Sequence, residues 1–205
     1  MSRQVRHLSR MVDDLLEVSR IRQGKIRLLR QPLDLGLLLS QTVEAAQSLL
    51  SHYERHLEVA LPPEPLIVDG DATRLLQLVM NLLGNATKYT DEGGHIWISL
   101  EREADQAVLR VKDDGKGIPA DELTAIFELF VQGETSIDRP HGGLGLGLAV
   151  AKQIALGHQG HIQARSGGPG QGSEFILRLP LLTQETIPSV PEAEAPRSPA
   201  MRYGC

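Results

Sequence analysis

Cysteine, aromatic side chains and long apolar runs are all scarce in this chain of 205 residues. Its single cysteine, Cys205, is the last residue, which excludes a disulfide framework or a thiolate metal site within one chain. Aromatic residues make up only 3% of the sequence, so any core must be aliphatic. No apolar run approaches the roughly 18 residues of a membrane span, and the N-terminus is too polar for a signal peptide.

An excess of basic charge is also lacking. The formal net charge is −5, which argues against a nucleic-acid partner bound by phosphate neutralisation. The cysteine usage fits a reducing compartment. Hydrophobic residues amount to 41% of the chain, enough for one core of ordinary size with attachments.

Residues 71–90, DATRLLQLVMNLLGNATKYT, have the pattern of a long helix packed on a core, and the rest of the chain is expected to be built around it. Asp71 stands where an N-cap would, ahead of the periodic run. The apolar positions at three- and four-residue spacing are Leu75, Leu78, Val79, Leu82, Leu83 and Ala86.

A second face of the same helix is polar. Asn81, Asn85 and Lys88 fall at i, i+4 and i+7, so two carboxamides and an ammonium group share one side. Asn and the neighbouring Gly84 both weaken a helix, Gly84 by about 1 kcal/mol relative to Ala. This cost favours a helix that presents polar groups to a ligand, although a solvated amphipathic face is the alternative.

The remaining pattern predicts an α+β fold, with helices covering one face of a sheet that contains antiparallel hairpins. From residue 183 onward the chain turns to Pro, Glu, Ser and Ala without periodicity, which predicts a disordered tail. Further helices are predicted at residues 3–22, 35–52, 119–127 and 145–156, and strands at residues 25–29, 56–61, 66–68, 95–100, 107–111, 161–166 and 173–179.

The stretch VKDDGKGIP, residues 111–119, delivers Asp113 to the end of a predicted strand. Gly115 and Gly117 then allow a sharp turn and a close approach of the backbone to a ligand. An ionised carboxylate only accepts hydrogen bonds, so Asp113 suits an exocyclic amine such as that of adenine. An ordinary Asp/Gly turn is the alternative at this point.

The stretch GGLGLGL, residues 142–148, runs directly into a predicted helix. Glycines at every second position leave amide N–H groups near a helix N-terminus, where the helix dipole favours phosphate. The spacing matches neither the P-loop nor the dinucleotide fingerprint. A flexible linker is the alternative, but the alternating leucines argue against it.

Five segments together resemble the nucleotide-binding boxes of sensor histidine kinases, members of the GHKL ATPase superfamily. In order they are NLLGNATKYT, DDGKGIP, Phe127-x-x-Phe130, GLGLGL and the turn GQGSEF, which spread over residues 71–180. The resemblance implies a two-layer α/β sandwich with a mixed, mostly antiparallel sheet. The N-terminal HLSRMVDDLLEVSRI is similar to the second helix of the dimerisation and phosphoacceptor hairpin, so a long helix is expected ahead of the sandwich.

The resemblance also implies a binding site for Mg²⁺-ATP. Asn85 would ligate the Mg²⁺, and Asp113 would accept a hydrogen bond from the adenine amine. A mobile lid would cover residues 132–143. The ATP-binding residues that it implies are Asn81, Asn85, Lys88, Tyr89, Asp113, Gly115, Gly117, Ile118, Phe130, Gly143, Leu144, Gly145, Leu146, Gly147, Leu148 and Ser173. Leu144 and Ser173 depart from the Ser or Thr and the Thr that are common at these places.

The phosphoacceptor box of the family, a His followed by Glu and then by Pro, is absent from these 205 residues. The expectation is therefore half of a hairpin at residues 1–24, an ATP-binding catalytic domain at residues 25–182 and a tail at residues 183–205. Such a chain would bind Mg²⁺-ATP without phosphorylating itself.

The resemblance further implies a cytoplasmic location, either free or as part of a membrane-bound sensor. The implied partners are a response-regulator receiver domain and, given a complete hairpin, a second copy of the chain. The alternatives are another GHKL enzyme, such as an anti-sigma serine kinase or a gyrase-like ATPase, and a truncated non-catalytic module.

Overall fold

The computed structural model describes residues 28–52, 55–131 and 145–182. The predicted helix at residues 3–22, the loop at residues 132–143 and the tail from residue 183 lie outside the described residues. So do Gly143, Leu144 and residues 25–27 of the first predicted strand.

A five-stranded sheet forms one layer of the domain. Its strands are β2 (His56–Ala60), β4 (His95–Glu103), β5 (Gln106–Asp113), β6 (His161–Arg165) and β7 (Ser173–Pro180). Their order across the sheet is β2-β4-β5-β7-β6, and only the β2–β4 pair is parallel. The mixed, mostly antiparallel sheet is confirmed, including the predicted β4–β5 hairpin.

Three helices form the other layer: α1 (Leu35–His52), α2 (Ala72–Tyr89) and α3 (Gly147–Gly157). In α2 the predicted apolar positions are all buried, and the Asp71 carboxylate accepts a hydrogen bond from the Arg74 amide as the N-cap. These buried side chains meet the inward residues of β4, β5 and β7 in a single aliphatic core. The α+β sandwich is therefore confirmed, with α2 at its centre.

A separate two-stranded sheet was not predicted. It consists of β1 (Gln31–Asp34) and β3 (Ile67–Gly70), paired antiparallel. The predicted strand at residues 25–29 is wrong where it is described, because Leu28 and Leu29 have no regular structure and the strand begins at Gln31. The strand was not predicted because it contains Pro32, and proline is more typical of turns and strand edges.

The predicted helix at residues 119–127 is also wrong in type. The segment forms successive turns that end in one 3₁₀ turn at Ala125–Phe127, with a hydrogen bond from the Glu128 amide to the Ala125 carbonyl. Nine residues offer few hydrogen bonds to offset the cost of helix nucleation. Phe127 instead packs edge-on against Phe175 of β7.

Candidate functional site

Asp113 lies at the end of β5, opposite Ser173 at the start of β7. Its side chain is only 2% exposed. The Oδ1 atom accepts hydrogen bonds from the amides of Gly115 at 3.0 Å and Ser173 at 3.3 Å, while Oδ2 accepts one from the Ser173 hydroxyl at 2.5 Å. Three donors thus hold the carboxylate in one orientation.

The pKa of Asp113 is raised above its ordinary value, mainly because burial removes water from the carboxylate. The hydrogen bonds from Ser173 and Gly115 oppose this rise, whereas the neighbouring Asp114 adds to it. A carboxylate held in a dry position at a strand end forms strong hydrogen bonds with a ligand donor.

Two glycine-containing turns pack backbone to backbone beside Asp113. The amide of Gly172 donates to the Gly115 carbonyl at 3.0 Å. Gly117 has φ +70°, and a Cβ placed there would overlap the carbonyl oxygen of Gly168. A Cβ on Gly172, at φ +66°, would likewise overlap the Asp113 carbonyl. Glycine is therefore required on both sides of this contact.

The turn after Asp113 is joined to the C-terminal end of α2. The Lys116 amide donates to the Tyr89 carbonyl at 3.1 Å. A Cβ on Gly115 would overlap that same carbonyl and would lie 2.9 Å from the Cα of Thr90. The close approach observed at Gly115 is to the end of α2, whereas the sequence predicted a close approach to a ligand, which stays a prediction.

The polar face of α2 contacts α3 through Asn81. Asn81 donates from Nδ2 to the Gly147 carbonyl at 3.0 Å. Asn85 is half-buried, and no hydrogen bond to its carboxamide is formed within the described part of the chain. The Lys88 ammonium contacts the Tyr89 hydroxyl at 3.0 Å and lies 4.7 Å from the centre of that ring.

Helix α3 begins at Gly147, two residues later than predicted. The residue before it, Leu146, is 2% exposed in the core and makes no side-chain capping hydrogen bond. Leu148 also packs on the core, so two of the three alternating leucines anchor this segment, while Leu144 lies outside the described residues. Among the described residues, no side chain forms a hydrogen bond to the amides of the first turn of α3, which leaves them available to an anion.

Val131 and Gly145, the described residues on either side of residues 132–144, lie against each other. This glycine has φ +71°, and a Cβ there would lie 2.5 Å from the Val131 carbonyl oxygen. Phe130, just before, also has a positive φ of +65°, and its ring is 58% exposed. The structure therefore brings Phe130 and Gly145 to one place beside α3.

Two residues that matter to this geometry were missed in the sequence. The Ser166 hydroxyl joins the two glycine turns, and His158 joins the N-terminus of α2 to the C-terminus of α3. His158 accepts from the Asp71 amide through Nε2 at 2.9 Å, while Nδ1 lies 2.8 Å from the Ile154 carbonyl. The Ser166–Ile118 bond spans 48 residues of sequence and the His158–Asp71 bond spans 87, so no local pattern indicates these two contacts.

Comparison with known proteins agrees with this arrangement. The family described as histidine kinase-, DNA gyrase B- and HSP90-like ATPases matches residues 70–183, which include α2, the glycine turns and α3. The chain belongs to this family. Within it, the circadian input-output histidine kinase CikA of Synechococcus elongatus is 39% identical over 176 residues, covering 85% of this chain and 23% of CikA.

Solved structures of histidine kinases share the fold of this GHKL domain. AdeS of Acinetobacter baumannii superimposes with a TM-score of 0.72 and 26% identity, covering 88% of this chain and 81% of that one. Full-length ShkA, solved in complex with AMPPNP, gives a TM-score of 0.75 and 30% identity, covering 86% of this chain and 36% of that one. The described domain is accordingly the ATP-binding catalytic domain of a sensor histidine kinase, and the serine-kinase and gyrase-like alternatives are not favoured.

The chain spans less than half of the length of CikA and of ShkA. No helix among the described residues is long and apolar enough to cross a membrane. Nor does the described part of the chain contain a cluster of three or more His, Cys, Asp or Glu side chains that could hold a metal ion.

Proposed function

We propose that the domain binds Mg²⁺-ATP in one site along α2, with the adenine beside Asp113 and the phosphates at the N-terminus of α3. One observation carries this proposal: α2 contacts both segments, through Asn81 to Gly147 and through Tyr89 to Lys116. Asn81 and Tyr89 are eight residues apart, which is about 12 Å along a helix. A nucleoside triphosphate lying beside the helix would reach from one contact to the other.

The free lone pairs of Asp113 support adenine as the base. Each carboxylate oxygen accepts about two hydrogen bonds, and both sites of Oδ1 are taken by amides. Among the described residues, Oδ2 accepts only from Ser173, so one site remains for the exocyclic amine of adenine. Guanine carries a carbonyl oxygen at the same place, and a carboxylate would repel it.

The uncapped N-terminus of α3 supports the phosphate end. The amides of Gly145, Gly147 and the first helical turn would donate to phosphate oxygens, aided by the helix dipole. Lys88, on the adjacent face of α2, would add a positive charge. The remaining residues proposed to line the site are Tyr89, Gly115, Gly117, Ile118, Phe130, Gly143, Leu144, Leu146, Leu148 and Ser173.

Asn85 fits the role of a Mg²⁺ ligand. Its carboxamide supplies the hard oxygen that Mg²⁺ prefers, and this ion commonly takes only one or two protein ligands beside phosphate oxygens and water. Asn81, one turn earlier and fixed to α3, would support its position. When bound, the ion would neutralise charge on the phosphates that the α3 amides and Lys88 hold in place.

In the complete protein, we infer that the γ-phosphoryl group passes from ATP to a histidine nitrogen and then to a receiver aspartate. The terminal P–O bond would break, an N–P bond would form, and ADP would leave. His158 does not suit the acceptor role, since it is 4% exposed and both ring nitrogens contact backbone groups. The same proposal includes dimerisation through a hairpin, a cytoplasmic location, and domain boundaries after residues 24 and 182.

Calorimetric titration of the chain with ATP and GTP, with and without Mg²⁺, tests this function. The wild type should bind ATP more tightly than GTP, with a dependence on Mg²⁺. Asp113→Asn should weaken ATP binding about ten- to a hundredfold, because a hydrogen bond to a charged group contributes about 1.5–3 kcal/mol. Failure of the wild type to bind either nucleotide would refute the proposal.

Incubation with γ-labelled ATP tests the transfer step. Acid-labile label should appear on an added protein that carries a complete phosphoacceptor hairpin of the same kinase type, and not on this chain by itself. Label on this chain alone would show that it contains an acceptor after all.

A further inference from the structure

Ser166, directly after β6, uses its whole hydrogen-bonding capacity on the two glycine turns beside Asp113. Its Oγ accepts from the Ile118 amide at 3.0 Å and from the Gly168 amide at 3.2 Å, and donates to the Gly172 carbonyl at 2.6 Å. A hydroxyl has one proton and two lone pairs, so these three contacts occupy all of it. The Gly168 carbonyl, at 3.4 Å, is the weaker acceptor for that proton.

These contacts complete a series of hydrogen bonds that extends the β5–β7 pairing beyond the end of the sheet. After the Asp113–Ser173 pair, the Gly172 amide donates to Gly115 at 3.0 Å and the Gly170 amide donates to Lys116 at 2.6 Å. Ile118 has no backbone partner in this series, and its amide reaches Ser166 instead. Ser166 is thus the last fixed point of the turn that follows Asp113.

The consequence for Asp113 is geometric. The turn at residues 114–118 carries the Gly115 amide that binds Asp113 Oδ1, and the turn at residues 167–172 leads into Ser173, which binds both carboxylate oxygens. If the two turns separated, the Gly115 amide and the two Ser173 donors would move relative to each other around the Asp113 carboxylate. Ser166 is the side chain that holds both turns.

We propose that Ser166 is a positioning residue for base recognition, acting through the two turns to fix the direction of the free lone pair on Asp113. This rests on the proposed adenine site. Ser166 touches neither base nor phosphate in this account. Its loss should therefore reduce the preference for adenine over guanine, and leave the Mg²⁺ dependence of binding unchanged.

The test compares ATP and GTP affinities of Ser166→Ala, Ser166→Thr and Ser166→Cys by calorimetry. Ser166→Ala should lower ATP affinity by about three- to tenfold, the range expected for one neutral hydrogen bond, with a much smaller effect on GTP. Ser166→Thr keeps the hydroxyl and should restore the preference. Ser40→Ala, which removes an exposed α1 hydroxyl bonded to the Gly36 carbonyl, is the matched control and should change neither affinity.

A reduction of ATP and GTP affinity by the same factor would overturn the proposal, because a purely structural role predicts that result. Should Ser166→Ala fail to fold, the comparison moves to Ser166→Cys and Ser166→Thr. The thiol bonds weakly, so equal adenine preference in these two variants would also overturn it. If the wild type itself lacks adenine preference, the proposed function fails, which is a separate result.

Discussion

The Ser173 hydroxyl donates a hydrogen bond of 2.5 Å to Oδ2 of Asp113, across the last pair of residues in the β5–β7 ladder. The sequence resemblance implies that Ser173 binds ATP. In the structure its hydroxyl engages the carboxylate that we propose recognises adenine. Ser173 of the GQGSEF segment therefore acts on Asp113 of the DDGKGIP segment, because the antiparallel register of β5 and β7 brings them together.

The buried carboxylate should carry a stability penalty at neutral pH. The folded-state pKa of Asp113 is raised above its ordinary value of 3.8, so its stabilising contribution is complete below that pH and is lost as pH rises through the raised pKa. In Asp113→Asn the carboxamide oxygen still accepts from Gly115, and its nitrogen donates to the Ser173 hydroxyl. The stability of the variant relative to the wild type should therefore increase as the pH rises from 3.8 through the raised pKa.

Urea unfolding of both proteins across that pH range provides the measurement. Asp105→Asn, on the exposed turn between β4 and β5, is the matched control. A stability difference between Asp113→Asn and wild type that stays constant with pH would show that Asp113 is not the buried, raised-pKa group described here.

His158 should give the opposite pH dependence. Burial lowers the pKa of its imidazole below the ordinary 6.5, although the hydrogen bond to Ile154 opposes the shift. The hydrogen bonds require a neutral ring with the proton on Nδ1, because Nε2 accepts from the Asp71 amide. Its contribution is complete above pH 6.5 and is lost as pH falls from 6.5 through the lowered pKa.

Unfolding measured from pH 5 to 8 checks this. Wild-type stability should rise with pH up to about 6.5, and His158→Phe should remove that slope while costing about 1–3 kcal/mol for each unpaired backbone group. His161→Gln, on the exposed edge strand β6, is the control. The charged groups around the ring are Arg30, Asp69 and Asp71. Persistence of the slope in His158→Phe would show that His158 is not its source.

Asn81 and Asn85 should respond differently to truncation. Asn81→Ala removes the hydrogen bond to Gly147 and should cost about 1 kcal/mol of stability as well as ATP affinity. Asn85→Ala breaks no such bond, so stability should change by less than about 0.5 kcal/mol while the Mg²⁺ dependence of binding disappears. Denaturation paired with titrations in Mg²⁺ and EDTA measures both. Retained Mg²⁺ dependence in Asn85→Ala would assign the ion to another ligand.

Gly84 is the one glycine of α2, and nothing lies within 4 Å of a Cβ built on it. Gly84→Ala should therefore raise the free energy of unfolding by about 0.5–1 kcal/mol, because alanine loses less conformational entropy in a helix. Gly117→Ala, at φ +70° against the Gly168 carbonyl, should destabilise the domain and serves as the contrast. A loss of stability in Gly84→Ala would mean that its surroundings are tighter than described.

The parts predicted well from sequence are those with local causes. The stripe of α2 and its Asp71 cap follow from periodicity and capping chemistry within one segment, and both are confirmed. Strand β1 has no such local cause. Its Pro32 indicated a turn, and the strand forms through pairing with β3 about 35 residues later. In the sequence, Ser166 looks like an ordinary turn serine. Its role depends on a contact with the backbone of Ile118, 48 residues away, which the sequence does not indicate.

The central claim is that α2, the end of β5 and the start of α3 form one nucleotide site, and amide chemical shifts of ¹⁵N-labelled protein test it most directly. On titration with Mg²⁺-ADP, the account predicts large shifts for the Gly115 and Gly147 amides and for the Asn85 side-chain amide. Ser99 and Gln163, on the sheet face away from the helices, should not shift. Unchanged signals at Gly115 and Gly147, or shifts confined to the face carrying Ser99 and Gln163, would contradict it.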